Sequence, residues 1–361
     1  MKQKGRFRSR ASGIKIGHLR TGKLNAITDI EGVRVGHQTV IRGEIIRTGV
    51  TAVLPHGENL YQEKVPAAVS IGNGFGKLTG YTQVEELGVL ESPLVLTNTL
   101  NVGTAVQAVN AYTLDQPGNE RVRSVNALVG ETNDGYLNDI RGMHLREEDV
   151  LEAIQTASRG PVREGCVGAG TGTVCMGFKG GMGTASRVLP GSEGEWKIGV
   201  LVQTNFGGSL RINGIPVGEM LEDGFSSPAA LDEEEGSCMV LLATNAPLKS
   251  RDLKRLAKRA LFGLVRSGSL MNHGSGEYAV AFSTAFRGSK LSRDYFHQRE
   301  QVFAHRLNLL FQAAVESAEE AVINSLFMAE TMKGRAGRCV KALPLDRVQQ
   351  IWEKYQHFDQ M

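Results

Sequence analysis

Glycine constrains this chain more than any other residue, because it is abundant and unevenly distributed. The chain has 44 glycines among 361 residues, whereas average usage is about 7%. Residues 1–236 contain 37 of them and residues 237–361 contain 7. Only ten prolines and frequent apolar runs argue against disorder, and the glycines lack the three-residue period of collagen. The sequence therefore predicts a folded first segment of short strands joined by glycine turns.

The predicted strands of this first segment are apolar, rich in β-branched residues and bounded by Gly, Pro or Asn. They are Gly49–Leu54, Ala67–Ile71, Leu94–Leu96, Ala127–Val129 and Ile198–Gln203. Helical spacing predicts helices at Gly103–Leu114 and Glu148–Ser158. The densest glycine run, Gly165–Gly183, has no P-loop and no clean strand–GxGxxG–helix unit. We interpret it as tight turns and close backbone packing.

The second segment is more regular. A continuous apolar run at Cys238–Thr244 predicts a buried strand. A helix is predicted to begin at Ser250 or Asp252. Its apolar face consists of Leu253, Leu256, Ala257, Ala260, Leu261 and Leu264. With a second strand at Tyr278–Ala285 and a long helix at Arg306–Glu330, the pattern predicts sheets covered by helices.

Charge and composition exclude several function classes. The 41 basic and 38 acidic residues give a net charge of +3, which is too small to indicate a nucleic-acid partner. Four cysteines without a CxxC pair indicate neither a zinc cluster nor a disulfide framework. HExxH, GxSxG and P-loop motifs are absent, and the eight histidines show no metal-ligand spacing. An enzyme built on this chain needs another kind of active site.

The termini and apolar runs indicate a protein that works away from membranes. No apolar run approaches the roughly 18 residues of a transmembrane helix. The N-terminal sequence MKQKGRFRSRAS is basic but lacks the apolar region of a secretory signal. We therefore expect a cytoplasmic protein whose basic N-terminal arm is a disordered tail.

Composition changes at residue 236. Leu221–Gly236 is predicted to be an exposed loop, and its acidic end runs directly into the buried strand after Gly236 and Ser237. If the Gly236–Ser237 bond breaks, Ser237 gains an α-amine with an unperturbed pKa of about 7.7–8.0, suited to act as a base for its own hydroxyl. The alternative is an ordinary loop-to-strand junction.

Six further motifs accompany this junction along the chain. They are NAITDIEGVRVGH (25–37), GNGFG (72–76), ETNDGYLND (131–139), QTNFG (203–207), ATNAPL (243–248) and GSGE (274–277). In this order, they resemble the DmpA-type aminopeptidases, the L-aminopeptidase/D-amino-acid esterase-amidase family that includes β-peptidyl aminopeptidases. The resemblance covers nearly the whole chain.

The resemblance implies an α+β fold, a four-layer αββα sandwich similar to the N-terminal-nucleophile hydrolases but with different connectivity. It also implies self-cleavage between Gly236 and Ser237, so that residues 1–236 and 237–361 together build one domain (1–361), with 221–236 as the processing loop. Ser237 would be the nucleophile and the N-terminus of the smaller chain. Cys238 departs from the aliphatic residue expected there. Because neighbouring strand residues face opposite ways, we interpret Cys238 as a small buried hydrophobe.

The resemblance also assigns roles to residues outside the junction. Asn205 matches the oxyanion-hole asparagine, and a side-chain amide aimed at a developing alkoxide suits that role. Ser275 and Glu277 match a pair that hydrogen-bonds around the nucleophile, and their spacing of two places them on one face of a strand. Glu131 matches the carboxylate that receives the substrate ammonium. Each of these residues also has an ordinary structural explanation, as a strand cap, a turn residue or a surface acid.

Tyr136 completes the implied site as an aromatic hydroxyl beside the reacting carbonyl. The implied reaction is hydrolysis of the N-terminal aminoacyl bond of short peptides, amides and esters through an acyl-enzyme on Ser237, without metal or organic cofactor. The family suggests a homotetramer, and preference among L-, D- and β-aminoacyl groups stays open. Two alternatives remain at this point: an acyltransferase of the ornithine acetyltransferase kind, whose nucleophile is threonine, and an uncleaved binding protein without enzymatic activity.

Overall fold

Two stacked β-sheets form the centre of the protein, for which a computed structural model describes residues 5–190, 195–221, 235–286 and 304–358. In spatial order, the five-stranded sheet contains Arg34–Arg42 (β1), Ile46–Leu54 (β2), Leu94–Asn98 (β6), Leu128–Thr132 (β7) and Leu78–Thr79 (β4). The six-stranded sheet is the other central layer. In spatial order it contains Gly181–Val188 (β10), Lys197–Asn205 (β11), Glu235–Thr244 (β12), Gly274–Ser283 (β13), Val65–Gly74 (β3) and Val89–Leu90 (β5).

Two short hairpins lie outside these sheets. They are Val174–Cys175 (β8) with Phe178–Lys179 (β9), and Met332–Lys333 (β14) with Cys339–Val340 (β15). The helices are Tyr81–Leu87 (α1), Val102–Leu114 (α2), Glu147–Gln155 (α3), Val217–Met220 (α4), Ser250–Ser267 (α5), Ala304–Met328 (α6) and Leu345–Phe358 (α7). Helices α2 and α3 cover the outer face of the five-stranded sheet, whereas α5 and α6 cover the six-stranded sheet. The predicted αββα order of layers is therefore confirmed.

The alternation of side chains along β12 shows how one strand serves two layers of core. Cys238, Val240 and Leu242 pack in the cluster under α5 and α6. Met239 and Leu241 pack in the cluster between the sheets. Because successive strand residues point to opposite faces, a continuous apolar run is what a strand covered on both sides requires. The prediction that Cys238 is a buried hydrophobe is confirmed.

Strands from both sides of residue 236 lie in one sheet. β12 pairs antiparallel with β11 and parallel with β13, and β13 pairs antiparallel with β3. The strand predicted at Tyr278–Ala285 begins earlier, at Gly274, because the polar segment before Tyr278 pairs with the start of β12. Most of the predicted processing loop, residues 222–234, lies outside the described residues.

The glycine-rich run packs closely against neighbouring backbone, as predicted. A Cβ atom at Gly183 would lie 2.0 Å from the carbonyl oxygen of Ala321 on α6. At Gly165, which has a φ of +75°, a Cβ atom would lie 2.3 Å from the carbonyl oxygen of Met328. These approaches bring α6 onto β10 without an intervening side chain, so the glycines are explained by packing.

The expectation of a disordered N-terminal arm is wrong for residues 5–12, while residues 1–4 lie outside the described chain. Arg10 forms two hydrogen bonds of 2.7 and 2.8 Å to the buried carboxylate of Glu320 on α6. Arg8 pairs with the buried Glu164. The arm is held because a buried carboxylate is costly without a cation nearby. A tail's composition alone does not reveal that its partners lie inside the fold.

Within the described residues, no helix is both long and apolar enough to cross a membrane. Those residues also contain no group of three or more His, Cys, Asp or Glu side chains arranged to hold a metal ion.

Candidate active site

Ser237 lies near the start of β12, between two other strands of the six-stranded sheet. On one side it is opposite Asn205, the last residue of β11. On the other side it is opposite Gly276 of β13, and the preceding Gly236 is opposite Ser275. The Ser237 residue is 4% exposed. Pairing of the strands therefore brings together residues that are far apart along the chain.

The Asn205 side chain has a defined orientation. Its Oδ1 accepts a hydrogen bond of 3.0 Å from the backbone N–H of Val174 in β8. An amide oxygen that faces an N–H donor leaves the amide nitrogen as the donating end. Asn205 is 9% exposed and lies beside Ser237. This arrangement provides a side-chain donor on the residue that is opposite Ser237 in the sheet.

The hairpin that orients Asn205 contains a fully buried lysine, Lys179. Its ammonium donates hydrogen bonds of 3.0 and 2.8 Å to the carbonyl oxygens of Gly170 and Gly180. Burial lowers the pKa of Lys179, and nearby Cys166, Cys175 and Asp134 act in the opposite direction. Lys179 was not predicted as a site residue. The available signal was a lysine within an otherwise apolar and glycine-rich run.

Ser275 and Glu277 meet on one face of β13, as their spacing predicts. The Ser275 hydroxyl donates a hydrogen bond to Glu277 Oε1. Burial raises the pKa of the Glu277 carboxyl, and the hydrogen bond from Ser275 acts against this shift. The other oxygen, Oε2, is buried and has no hydrogen-bond partner among the described residues. The pair is a hydroxyl–carboxyl unit that flanks Gly276, the residue opposite Ser237, with one member on either side.

A cavity of about 340 Å³ opens beside Ser237. Its lining combines the serine, small backbone segments and two oppositely charged side chains. The lining residues are Gly74, Phe75, Gly76, Lys77, Thr99, Glu131, Asn133, Gly236, Ser237 and Gly274. The size suits a short peptide end or a small amide.

Glu131 lies in the cavity wall at β7 and is almost fully buried. Its Oε1 accepts a hydrogen bond of 2.9 Å from the backbone N–H of Lys77, and its Oε2 accepts one from the Thr99 hydroxyl. The Lys77 ammonium is 4.0 Å from Oε1. The carboxylate is thus fixed in position and faces the same cavity as Ser237.

Tyr278 supports this wall and was not predicted as a site residue. Its hydroxyl lies 3.0 Å from the carbonyl oxygens of both Gly74 and Gly76 and can donate to either. Burial raises the pKa of Tyr278, with further contributions from Glu131 and Glu277. In the sequence Tyr278 is only the first apolar residue of a strand, so no local pattern indicates this role.

Tyr136 is not among the residues that line the cavity. The guanidinium of Arg338 lies over its ring, 4.6 Å from the ring centre, and donates a hydrogen bond of 3.1 Å to its backbone carbonyl. The structure therefore brings Ser237 and Glu131 to one cavity, and it places Asn205, Ser275 and Glu277 on the two strands beside Ser237 without their lining that cavity. It does not bring Tyr136 to this cavity, and the role of Tyr136 stays a prediction.

Comparison with known proteins decides the family of this chain. The model of peptidase family S58 matches residues 25–340. The chain belongs to peptidase family S58. It is a hydrolase of the aminopeptidase class, and the predicted resemblance to DmpA-type aminopeptidases is confirmed. Neither alternative, the acyltransferase nor the binding protein without activity, is favoured by these findings.

Individual relatives of this S58 peptidase agree along almost their full length. It is 42% identical to the β-peptidyl aminopeptidase BapA of Sphingosinicella microcystinivorans, over 92% of this chain and 89% of that protein. A β-aminopeptidase structure from a Burkholderia species matches with a TM-score of 0.87 and 38% identity, covering 96% and 99% of the two chains. The L-aminopeptidase D-Ala-esterase/amidase of Ochrobactrum anthropi, described as a variant of the Ntn hydrolase fold, matches with a TM-score of 0.87 and 37% identity, covering 97% and 99%.

Proposed function

We propose that this S58 peptidase cuts its own chain between Gly236 and Ser237 and then uses Ser237 to hydrolyse the first bond of peptides, amides and esters that carry an N-terminal amine. The observation that carries this proposal is the register of β11, β12 and β13. It sets Ser237 between the Asn205 amide and the strand that holds Ser275 and Glu277.

Self-cleavage is the first proposed stage. The Ser237 hydroxyl oxygen attacks the Gly236 carbonyl carbon, and the bond to the Ser237 nitrogen breaks. The chain is then held through an ester, and water hydrolyses the ester. Gly236 suits this position because a Cβ atom there would lie 3.0 Å from Phe206 Cα. The cut leaves an α-amine on Ser237 that can act as the base for its hydroxyl.

Substrate hydrolysis is the second stage. Ser237 attacks the scissile carbonyl, and the Asn205 amide donates to the developing oxyanion. The proton from the serine hydroxyl passes through the α-amine to the leaving amine. The Ser275–Glu277 pair assists by hydrogen bonding around the nucleophile. Water then releases the acyl group from Ser237. None of these steps requires a metal or an organic cofactor.

Glu131 selects the amine end of the substrate in this proposal. A buried carboxylate in the cavity wall forms a charge-assisted hydrogen bond with a substrate ammonium, which is stronger than a neutral one. Because two similar proteins carry the name β-aminopeptidase or β-peptidyl aminopeptidase, we propose β-aminoacyl groups as substrates of this chain. We also propose a homotetramer, on the family resemblance, and a cytoplasmic location.

Two measurements test this function. Mass spectrometry of the purified protein should find a chain that begins Ser-Cys-Met-Val, and β-alanyl p-nitroanilide should be hydrolysed. Full-length protein with full activity would contradict self-cleavage. A cleaved protein that hydrolyses neither β-alanyl nor α-aminoacyl amides would contradict the proposed reaction.

A further inference from the structure

Among the described residues that line the cavity of Ser237, Lys77 is the one with a basic side chain. Its side chain is 53% exposed, and its ammonium is 4.0 Å from Glu131 Oε1, which is beyond hydrogen-bond distance. In the described part of the chain, no oxygen accepts a hydrogen bond from this ammonium. The wall therefore presents a carboxylate and an available ammonium side by side.

Strand pairing fixes this juxtaposition. Leu78 of β4 is opposite Gly130 of β7. Because the two strands are antiparallel, the residue before Leu78, which is Lys77, lies next to the residue after Gly130, which is Glu131. The backbone N–H of Lys77 donates to the Glu131 carboxylate at 2.9 Å. The two charges are thus neighbours because of the sheet register, and not only because of a side-chain rotamer.

A ligand that complements both charges carries an ammonium and a carboxylate close to each other, for example on one carbon. An ordinary α-aminoacyl substrate lacks this feature, because its α-carbonyl is part of the scissile bond. In an isoaspartyl residue, the chain continues through the side-chain carboxyl. The amine and a carboxylate then share one carbon, and the scissile carbonyl is one methylene away. Such a residue is a β-aminoacyl group with a carboxylate beside its amine.

We propose that isoaspartyl peptides are a preferred substrate class of this enzyme, with the substrate ammonium at Glu131 and the free α-carboxylate at Lys77. This inference rests on the proposed function. Ser237 attacks the β-carbonyl of the isoaspartyl residue, the bond to the next amine breaks, and water releases aspartate. The net reaction consumes one water and yields aspartate and the shortened peptide. Lys77 determines specificity by binding a group that does not react.

Matched substrates isolate the contribution of the carboxylate. Three p-nitroanilides, each with an N-terminal amine, are compared: β-linked aspartate, the same residue with its α-carboxylate replaced by a carboxamide, and β-alanine. Because Lys77 is half exposed, its pairing with a substrate carboxylate is moderate, and we expect kcat/KM to favour the carboxylate over the carboxamide by about fivefold. An α-aspartyl p-nitroanilide tests whether the carboxylate must share a carbon with the amine.

Variants assign the preference to one side chain. In Lys77→Met the carboxylate-to-carboxamide ratio should fall to about one, and in Lys77→Glu it should fall below one. Lys15→Met is the matched control, because Lys15 is an exposed lysine that does not line the cavity. That control should keep the wild-type ratio. If Lys77 served only to neutralise Glu131, its loss would change the two rates together and leave their ratio unaltered.

The outcomes separate this inference from the function on which it rests. Hydrolysis of β-alanyl p-nitroanilide with equal rates on the carboxylate and the carboxamide would overturn the isoaspartyl proposal alone. A stronger preference for the α-aspartyl substrate would also overturn it, because the enzyme would then bind a carboxylate that lies one methylene further from the carbon that carries the amine. Failure on all four substrates would contradict the proposed aminopeptidase reaction itself.

Discussion

The two sides of Ser237 differ in how they are built. The Asn205 side, which consists of Asn205 and the β8–β9 hairpin, lies in the interior, and its lysine is completely buried. The Glu131 side, which consists of Glu131 and the segment 75–79, lies at the edge of the five-stranded sheet, and its lysine is half exposed. The contrast indicates that the two sides have different roles in the site. The interior side sets the geometry of the reaction, while the edge side recognises the substrate.

The largest expected effect comes from the residue shared by both sides. Ser237→Ala should give a folded, uncut and inactive protein, because the hydroxyl acts in both proposed stages while the apolar run after it is unchanged. A denaturing gel and a β-alanyl p-nitroanilide assay measure this. Normal cleavage or substantial turnover in the variant would contradict the assignment of Ser237.

On the interior side, Asn205→Ala should lower kcat by about 10²–10³, as expected for the loss of one oxyanion donor. KM should change little, because Asn205 contributes to the transition state more than to binding. Asn133→Ala is a comparison variant, since Asn133 lines the cavity of Ser237 but is not a strand partner of Ser237. We expect a much smaller loss of kcat there. A change confined to KM in Asn205→Ala would assign Asn205 to substrate positioning.

On the edge side, Glu131→Gln should lower kcat/KM for substrates with an N-terminal amine by about 10- to 100-fold, which corresponds to a hydrogen bond to a charged group. The wild type should reject the N-acetylated substrate, because it brings no ammonium to Glu131 and leaves this buried carboxylate with only the Lys77 ammonium at 4.0 Å. The variant should lose much of this discrimination while self-cleavage persists. Equal rates of the wild type on both substrates would remove the aminopeptidase claim.

Lys179→Met tests whether the interior side acts as one unit. Loss of the ammonium removes one donor from each of the carbonyl oxygens of Gly170 and Gly180, of which Gly170 keeps the Thr173 hydroxyl, so the hairpin should hold Asn205 less firmly. We expect kcat to fall about tenfold with KM nearly unchanged, measured well below the melting temperature. In an Asn205→Ala background, the same change should lower kcat little further. Fully additive effects would show that Lys179 contributes only to stability.

The smallest effect is expected for Tyr278→Phe, which removes the hydroxyl near the Gly74 and Gly76 carbonyls. Segment 75–79 would keep its strand pairing at β4. We therefore expect KM to rise about threefold with kcat nearly constant, because one neutral hydrogen bond contributes about 1 kcal/mol. A fall in kcat larger than the rise in KM would place Tyr278 on the reaction side of the site.

The two sides also differ in how far the sequence predicts them. The apolar run after Ser237 and the spacing of Ser275 and Glu277 are local patterns, so strand β12 and the shared face of these two residues follow from the chain itself. Their interaction as a pair was predicted only from the family resemblance. Asn205 and Glu131 follow only from the family resemblance, since nothing local shows that β11 pairs with β12 or that β4 pairs with β7. Register is a property of the assembled sheet.

The hydrogen-bond partners of Lys179 and Tyr278 could not be predicted from either source. Their partners are backbone carbonyls of glycine segments, and carbonyl positions depend on the path of distant loops. The prediction of a disordered N-terminal arm was wrong for a related reason. A basic segment is typical of a solvated tail, but here the acids that bind it, Glu164 and Glu320, are buried in the fold. Composition describes a segment without its partners.

The strand order of the six-stranded sheet has a consequence for a protein cut after Gly236. Along that sheet, strands from the first segment (β10, β11) are followed by two from the second (β12, β13) and then by two more from the first (β3, β5). The two products of the cut would share one hydrogen-bonded sheet, in which strands of the smaller product lie between strands of the larger one, and would not meet only at a surface. Cleavage after Gly236 would therefore not by itself separate the two products. The fragments would migrate as one particle in native chromatography, and separating them would require unfolding the sheet.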